Sequence, residues 1–498
     1  MENIRLQEEI REEIEKLMVI AEDFSQSKTA AHTIEKGIFK QLLVLGLSLL
    51  SYIFKKRIGQ IIAQGTPKKD GIPLRNKGLE ICQYLSLFGL LEIERPSYWD
   101  KDLGKIHPTD SELCLPISSF WSYNIEELVG ENAAESDYKE SVRVLNKLLN
   151  LGLSGKSSER NIGHIGVDVD AYYRSKKVEK AVSPVCFSAS FDGKGVPKIK
   201  LKVATPVDIN PKKRLGKGEK KGIMEMATVS VTSSFMPKKR SVDSIISSLM
   251  GSPLSKIKSD EIAVKDDNKQ DNKWHKGIHR RAFLGNQNKA IEYGLNRIKE
   301  SIGNRQSRFV VPIDAGVGLE EKVLGWVKDN KMENFFDGII LDIIHVSEYV
   351  WDAATAIFGE KSRSKSTWVR EVLIDLLNSK TTKVIKDLKR INNLNNQNQL
   401  SDTKQKQVEK AITYFTNHQH KMDYKTFIEK GYPVSSALVE AACGHLVKER
   451  MEQSGMRWSS QGAQNIMDIR AVKLNDDMED FMDFRIKKEQ LLAFRYAA

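Results

Sequence analysis

Apolar side chains recur at three- and four-residue spacing through Leu438, Val439, Ala442, Leu446 and Val447, which predicts a helix within Ser435–Ser459 and sets Glu440 beside its packed face. Ser435 or Ser436 can cap its first turn, where the charge of Glu440 is tolerated. Two upstream stretches alternate with a period of two instead. Val185, Phe187, Ala189 and Phe191 share one face and Cys186, Ser188, Ser190 and Asp192 the other, so a strand is expected to end at Asp192, with Gly193 and Gly195 leaving room for close approach. Phe309, Val311 and Ile313 predict a second strand, ending at Asp314. Ile339–Ile344 is apolar except for Asp342, as a parallel strand buried on both faces would be. Met224–Ser233 alternates as another strand of the same sheet. Helices are expected over Ala290–Ser301 and Glu320–Asn330, and after Ile344.

The flanks read as helical or polar. Glu8–Phe24 and Thr33–Ala63 predict N-terminal helices, with the 13-residue apolar run Leu42–Phe54 taken as a buried helix, short of the roughly 20 residues that span a bilayer. Gln64–Asn76 reads as a linker, Leu87–Arg95 as a short hairpin around Gly89, and Gly104–Pro116 as a loop too polar to build much core. From Ser136, a helix, a turn at Gly152–Gly155 and a second helix have the shape of a helix-turn-helix. Gly359–Met422 predicts an all-helical insertion, and Asp476–Ala498 a charged helix packed on the core.

Charge narrows the class. The 498 residues carry 78 Lys and Arg against 66 Asp and Glu, a net +12 that favours a polyanionic partner. Nine Lys or Arg among the 24 positions Lys198–Lys221 mark Lys212, Lys213 and Arg214 as sequence-blind contacts to DNA phosphates. The four cysteines, at 82, 114, 186 and 443, have no paired spacing, which fits a reducing cytoplasm. The charged start is no signal peptide, and no membrane role is expected.

Single carboxylates on rigid strands and a helix suit a hard divalent cation, and two such ions support in-line phosphoryl displacement. His345, Glu348 and Asp352 form a rival stripe that suits Fe, Mn or Zn. His275 and His279 lie four apart, but no acid or Cys completes a site with them.

The blocks FDGKGVP (Phe191–Pro197), IDAG with LDIIHVSEYVWDAA (Leu341–Ala354), and VEAACGHLVKERMEQSGMRWS (Val439–Ser459) resemble DDE-type transposases of bacterial insertion sequences, closest to the ISKra-like group. The resemblance covers roughly Leu87–Arg470. It implies an α/β mixed-sheet, ribonuclease-H-like catalytic core with a helical insertion before the Glu helix, preceded by helical DNA-binding regions. It assigns Asp192, Asp314 and Glu440 as catalytic and metal-binding residues, with Asp342 the competing second acid. Mg2+ is the implied cofactor, with Mn2+ substituting, and the reaction is cleavage and strand transfer of double-stranded DNA at element ends and target by a homo-oligomer. Lys448, Arg450 and Arg457 would face phosphates and Trp458 would stack a frayed base. The order Asp314-Ala315-Gly316 departs from the family's Asp-Gly-Ala, and Asp100–Gly104 lacks the cysteines of a zinc knuckle, so no zinc is expected.

The expected division is an N-terminal helical region (1–63), a DNA-end-binding region (77–180), the core in two parts (181–358 and 425–470) around the insertion (359–424), and a C-terminal helix (471–498). A metal-dependent endonuclease or junction resolvase of the same fold, an inactive DNA-binding remnant, and an iron or manganese oxygenase on His345, Glu348 and Asp352 are the alternatives.

Overall fold

The computed structural model describes residues 2–69, 71–102, 104–199, 223–250, 274–316, 318–397 and 402–497. Lys212, Lys213 and Arg214 lie outside them. The chain forms two units, one of residues 1–176 with 468–498 and one of residues 177–467.

The first unit opens with helices Glu2–Gln26 and Ala31–Ala63. The second of these is not the buried helix expected from Leu42–Phe54. It runs 33 residues, and only Ile58 along it is buried. By length and composition alone it is long and apolar enough to cross a membrane. The expected linker holds a two-residue ribbon, β1 (Lys68–Lys69) and β2 (Ile72–Pro73). The hairpin is longer than predicted: β3 (Arg75–Ser86) pairs antiparallel with β4 (Gly89–Asp100), and β5 (Gly104–Ile106) adds a third strand. Gly104–Pro116 is therefore not mere loop; Ile106, Leu113 and Leu115 are spaced too widely to read as a core, yet each is buried.

Helices Tyr123–Glu135, Tyr138–Leu149, Gly155–Gly166 and Val169–Ser175 follow. Asp137 caps the second with its carboxylate and Ser154 the third in a capping box with Ser157, which sets the break between the helix-turn-helix-like pair. The C-terminal helix Met478–Ala497 belongs to this unit. Arg485, buried in it, bonds Glu126, Asp168 and Glu489.

The second unit is built on a five-stranded mixed sheet. β6 (Cys186–Pro197), β7 (Met224–Phe235) and β8 (His275–Leu284) form an antiparallel meander, and β9 (Arg308–Ile313) and β10 (Phe336–Leu341) continue it in parallel, in the order β10-β9-β6-β7-β8. Strand β8 carries His275 and His279, in a stretch for which no strand was expected. Alternation decides the layers. Phe187, Ala189, Phe191, Phe309, Val311 and Ile313 pack on helices Gln287–Ser301 and Leu319–Asp329. Phe235, Val310 and Ile340 face helix Ile343–Phe358 and the insertion. Gly294 lets its helix close on the sheet beneath Asp192, since a Cβ there would strike the Phe191 ring and Ser230. The insertion is three helices, Ser364–Leu377, Thr381–Gln397 and Asp402–His418.

Candidate active site

The parallel register pairs Ser188 with Val310, an offset of 122 positions. The pairing ends there, and Asp192 and Asp314 each stand four positions beyond it, close enough that the charge of Asp314 acts on Asp192. The next strand repeats the pattern: Leu341 pairs Ile313, and the Asp342 amide donates to the Ile313 carbonyl at 2.8 Å. Three carboxylates thus follow one another across β6, β9 and β10.

Their surroundings separate them. Asp192, half-buried, has its carboxyl pushed up, first by burial and then by the charge of Asp314, against bonds from the Cys443 thiol and the Gly193 amide and the charge of His345. Asp314 closes a turn by accepting from the Gly316 amide at 3.0 Å. Asp342 is not inside the strand. It caps helix Ile343–Phe358, is 1 % exposed, and accepts from the Ile344 amide at 2.8 Å and the Ser436 hydroxyl at 2.5 Å. The apolar run misleads because Ile343 and Ile344 belong to the helix's first turn. Ser436 sits at the N-cap of Ala437–Ala442 but spends its hydroxyl on Asp342 rather than on the helix.

Burial pushes the Asp342 carboxyl up to about 6, against those two bonds. A raised acid stabilises the fold while protonated, so this contribution is full below 3.8 and lost as pH rises through about 6. It amounts to roughly 3 kcal/mol at most. Asp342→Asn, which keeps the acceptor for Ile344, is expected to gain about that much relative to wild type between pH 4 and pH 8 in urea unfolding. Parallel pH curves for the two proteins would exclude this assignment.

Glu440 lies in the short helix Ala437–Ala442, half-buried. The helix then widens into a π-turn over Cys443–Lys448, a local irregularity frequent at functional sites. Cys443 is the hinge of the arrangement. Its buried thiol is pushed far up by burial, then by the charge of Asp192, to which it donates, and also by that of Glu440. It therefore stays protonated as a fixed donor. A lone cysteine on a helix reads in sequence as a small apolar residue, and nothing there marks this contact.

His345 enters from the first turn of Ile343–Phe358. Burial pulls it down, but the charges of Asp342, Glu348 and Asp314 outweigh that and raise it. Its Nδ1 meets Glu348 at 3.4 Å. Asp352 is exposed. Tyr414 of the insertion stacks on Tyr349 at 3.9 Å, and its phenol is raised by burial, then by Tyr349, Asp314 and Asp342, so the insertion reaches the same place. Among the described residues no group of three His, Cys, Asp or Glu is arranged to hold a metal ion, neither Asp192, Asp314 and Glu440 nor the His345–Glu348–Asp352 stripe. His275 bonds the Ser233 hydroxyl at 2.9 Å and is pulled down to about 4 by burial, then by Arg240, while His279 bonds the Tyr293 phenol at 2.7 Å.

The basic residues divide. Lys448 and Arg457 are exposed. Arg450 is 1 % exposed, its guanidinium 4.9 Å from the Trp458 ring, and Trp458 is itself buried with its indole donating to the Met451 carbonyl. Backbone bonds from Trp458 to Pro197 and from Ile199 to Trp458 lengthen the edge of β6. Arg450 and Trp458 thus occupy packed positions in this conformation, not the open surface that contact with phosphates and bases needs.

No family model matches the chain, and no curated protein matches it.

Proposed function

We propose that the chain is a DDE-type transposase, with a ribonuclease-H-like core in the second unit, that cleaves and joins double-stranded DNA at the ends of an insertion sequence. The observation that carries this reading is that Asp192 and Asp314, just beyond the parallel pairing of β6 and β9, are near enough that one charge raises the other, with Glu440 acting on the same Cys443 thiol that bonds Asp192. The mixed sheet and the three-helix insertion ahead of Glu440 support it.

The donors fit a hard dication in kind: all are carboxylate oxygens, and the repulsion between Asp192 and Asp314 is what a cation relieves. Asp192, Asp314 and Glu440 would hold Mg2+ or Mn2+, which when bound supplies charge to the attacking and leaving oxygens. The Cys443 thiol donates to Asp192 and helps orient its carboxylate. His345, raised by the charges of Asp342, Glu348 and Asp314, places an imidazole beside these acids. Lys448 and Arg457 offer exposed cations to the backbone, in a site working in the cytoplasm as a DNA-bound oligomer.

The test uses the DNA flanking the gene, where inverted repeats define the substrate. Purified protein with Mg2+ or Mn2+ is expected to cut a labelled end duplex and join it to target DNA, and chelation to abolish both. Glu440→Gln should slow cutting by ~10²-fold or more with duplex binding kept. Cutting that survives chelation or ignores Glu440→Gln defeats the proposal. Cutting without any joined product leaves an endonuclease.

A further inference from the structure

The first unit leaves one strand edge uncovered. β3 is an outer strand of its three-stranded sheet. Near its end Leu85 donates to the Phe120 carbonyl at 2.7 Å and accepts from the Ser122 amide at 2.8 Å, so its backbone groups point away from β4. Ile81 and Gln83 share that parity, and among the described residues no backbone group pairs with them on that side. The segment that covers Leu85 does not continue along the edge: the Ile117 amide and the Ser118 hydroxyl donate instead to Glu489. Ile81, Cys82 and Gln83 line a cleft of about 760 Å³ together with one face of helix Gly155–Gly166. That face carries Ser157, Arg160, Asn161 and His164, at positions three and four apart along the helix. Asn161 is 3 % exposed and donates to the Glu126 carbonyl at 2.9 Å, while its side-chain oxygen has no partner among the described residues. Arg95 and Asp110 bond each other in the same lining, yet the Arg95 Nε and one Asp110 oxygen are likewise unpartnered.

These groups select the occupant. An extended peptide offers N–H and C=O groups at the repeat of a strand edge, so it can pair both the carbonyls and the amides of Ile81 and Gln83. A nucleic-acid backbone offers phosphate oxygens and no N–H. It would leave those carbonyls unpaired and set negative charge against the unpartnered oxygen of Asp110. Side chains of a peptide would meet Ile117 and Phe120, 49 and 46 % exposed, and the exposed guanidinium of Arg160, which has no carboxylate partner among the described residues. Asp110 is the only acid among the described residues of the lining, and Arg95 engages it. The cleft therefore favours a segment in which apolar and acidic residues alternate.

We propose that this cleft docks an extended acidic peptide of a partner protein by strand addition to β3, a contact separate from the DNA chemistry. A fluorescein-labelled nonapeptide of alternating valine and glutamate should bind the full chain saturably at micromolar concentration, read by anisotropy. N-methylation of its valine amides or of its glutamate amides should abolish binding in one case and spare it in the other, because only one set faces β3. Arg160→Glu should weaken binding about tenfold and make the chain prefer a nonapeptide of alternating valine and lysine. Gln83→Pro, which removes a donor that faces the cleft and is tolerated on an edge strand, should also weaken binding about tenfold. An unchanged helical spectrum and melting temperature identify the folded variants, and the methylated peptides need no variant at all. No binding of the valine and glutamate peptide, equal binding of its two methylated forms, or indifference to Arg160→Glu overturns the proposal. So does displacement of the labelled peptide by oligothymidine at lower concentration than by unlabelled peptide, which would make the cleft a nucleic-acid site. The Asp314→Asn variant should bind the peptide as the wild type does, so failure of the cleavage reading and failure of this one are separate outcomes.

Discussion

Asp314→Asn is expected to lower single-turnover cleavage of the end duplex by ~10³-fold at saturating DNA, with duplex affinity nearly unchanged. The carboxylate follows the end of the strand beside that of Asp192, and its charge raises Asp192, so the two share one electrostatic site. Asn keeps the size of the side chain, and its oxygen can still accept from the Gly316 amide, so the turn survives while the charge is lost. Asp342→Asn should behave differently. Its carboxyl is walled in at 1 % exposure, and its oxygens are engaged by Ile344 and Ser436, which leaves it a cap rather than a ligand. Cleavage by that variant should fall less than tenfold. If Asp342→Asn is folded and inactive while Asp314→Asn still cuts, the second acid is Asp342.

The largest effect on stability is expected at Arg485→Met. Arg485, 1 % exposed, donates to Glu126 at 2.7 Å, Asp168 at 2.9 Å and Glu489 at 3.1 Å, and Glu126 is fully buried. Glu489 in turn accepts from the Tyr123 phenol, the Ser118 hydroxyl and the Ile117 amide. Burial pushes the Glu126 carboxyl up, and Arg485 is what opposes that push. Removing the guanidinium leaves the buried Glu126 without its counter-ion, while Lys488 still reaches Asp168 and Glu489 keeps its three other donors. Losing one partner of a buried ion pair costs about 3–5 kcal/mol. Urea unfolding at pH 7 measures it, and a loss under about 1 kcal/mol would show that water or rearranged partners replace the guanidinium.

Sequence exposed the strand ends better than their surroundings. Asp192 stands out because Phe187–Phe191 alternates cleanly up to it, and Asp314 because it ends the apolar run Phe309–Ile313. Asp342 was harder to place, since an apolar strand passing into an apolar first helical turn shows no change of composition. Strand β8 was missed because its buried positions include His275, His279 and Arg281, the last covered by the Phe283 and Tyr293 rings. Arg450 and Trp458, expected on DNA from the family resemblance, are packed on each other. Cys443 and Tyr414 owe their place beside the acids to tertiary contacts between elements far apart in sequence, and no spacing rule reports those.

The division of the chain orders its biosynthesis. Glu126 and Asp168 leave the ribosome long before their guanidinium, Arg485 following Asp168 by 317 positions. At roughly 5–20 residues per second that delay is tens of seconds. Throughout it the first unit lacks its central counter-ion, while the strands and acids of the second emerge one after another. The nascent polypeptide therefore completes its acidic centre before the unit that encloses it in sequence can close, and a ribosome that stalls before residue 485 releases a chain whose first unit cannot neutralise its own interior.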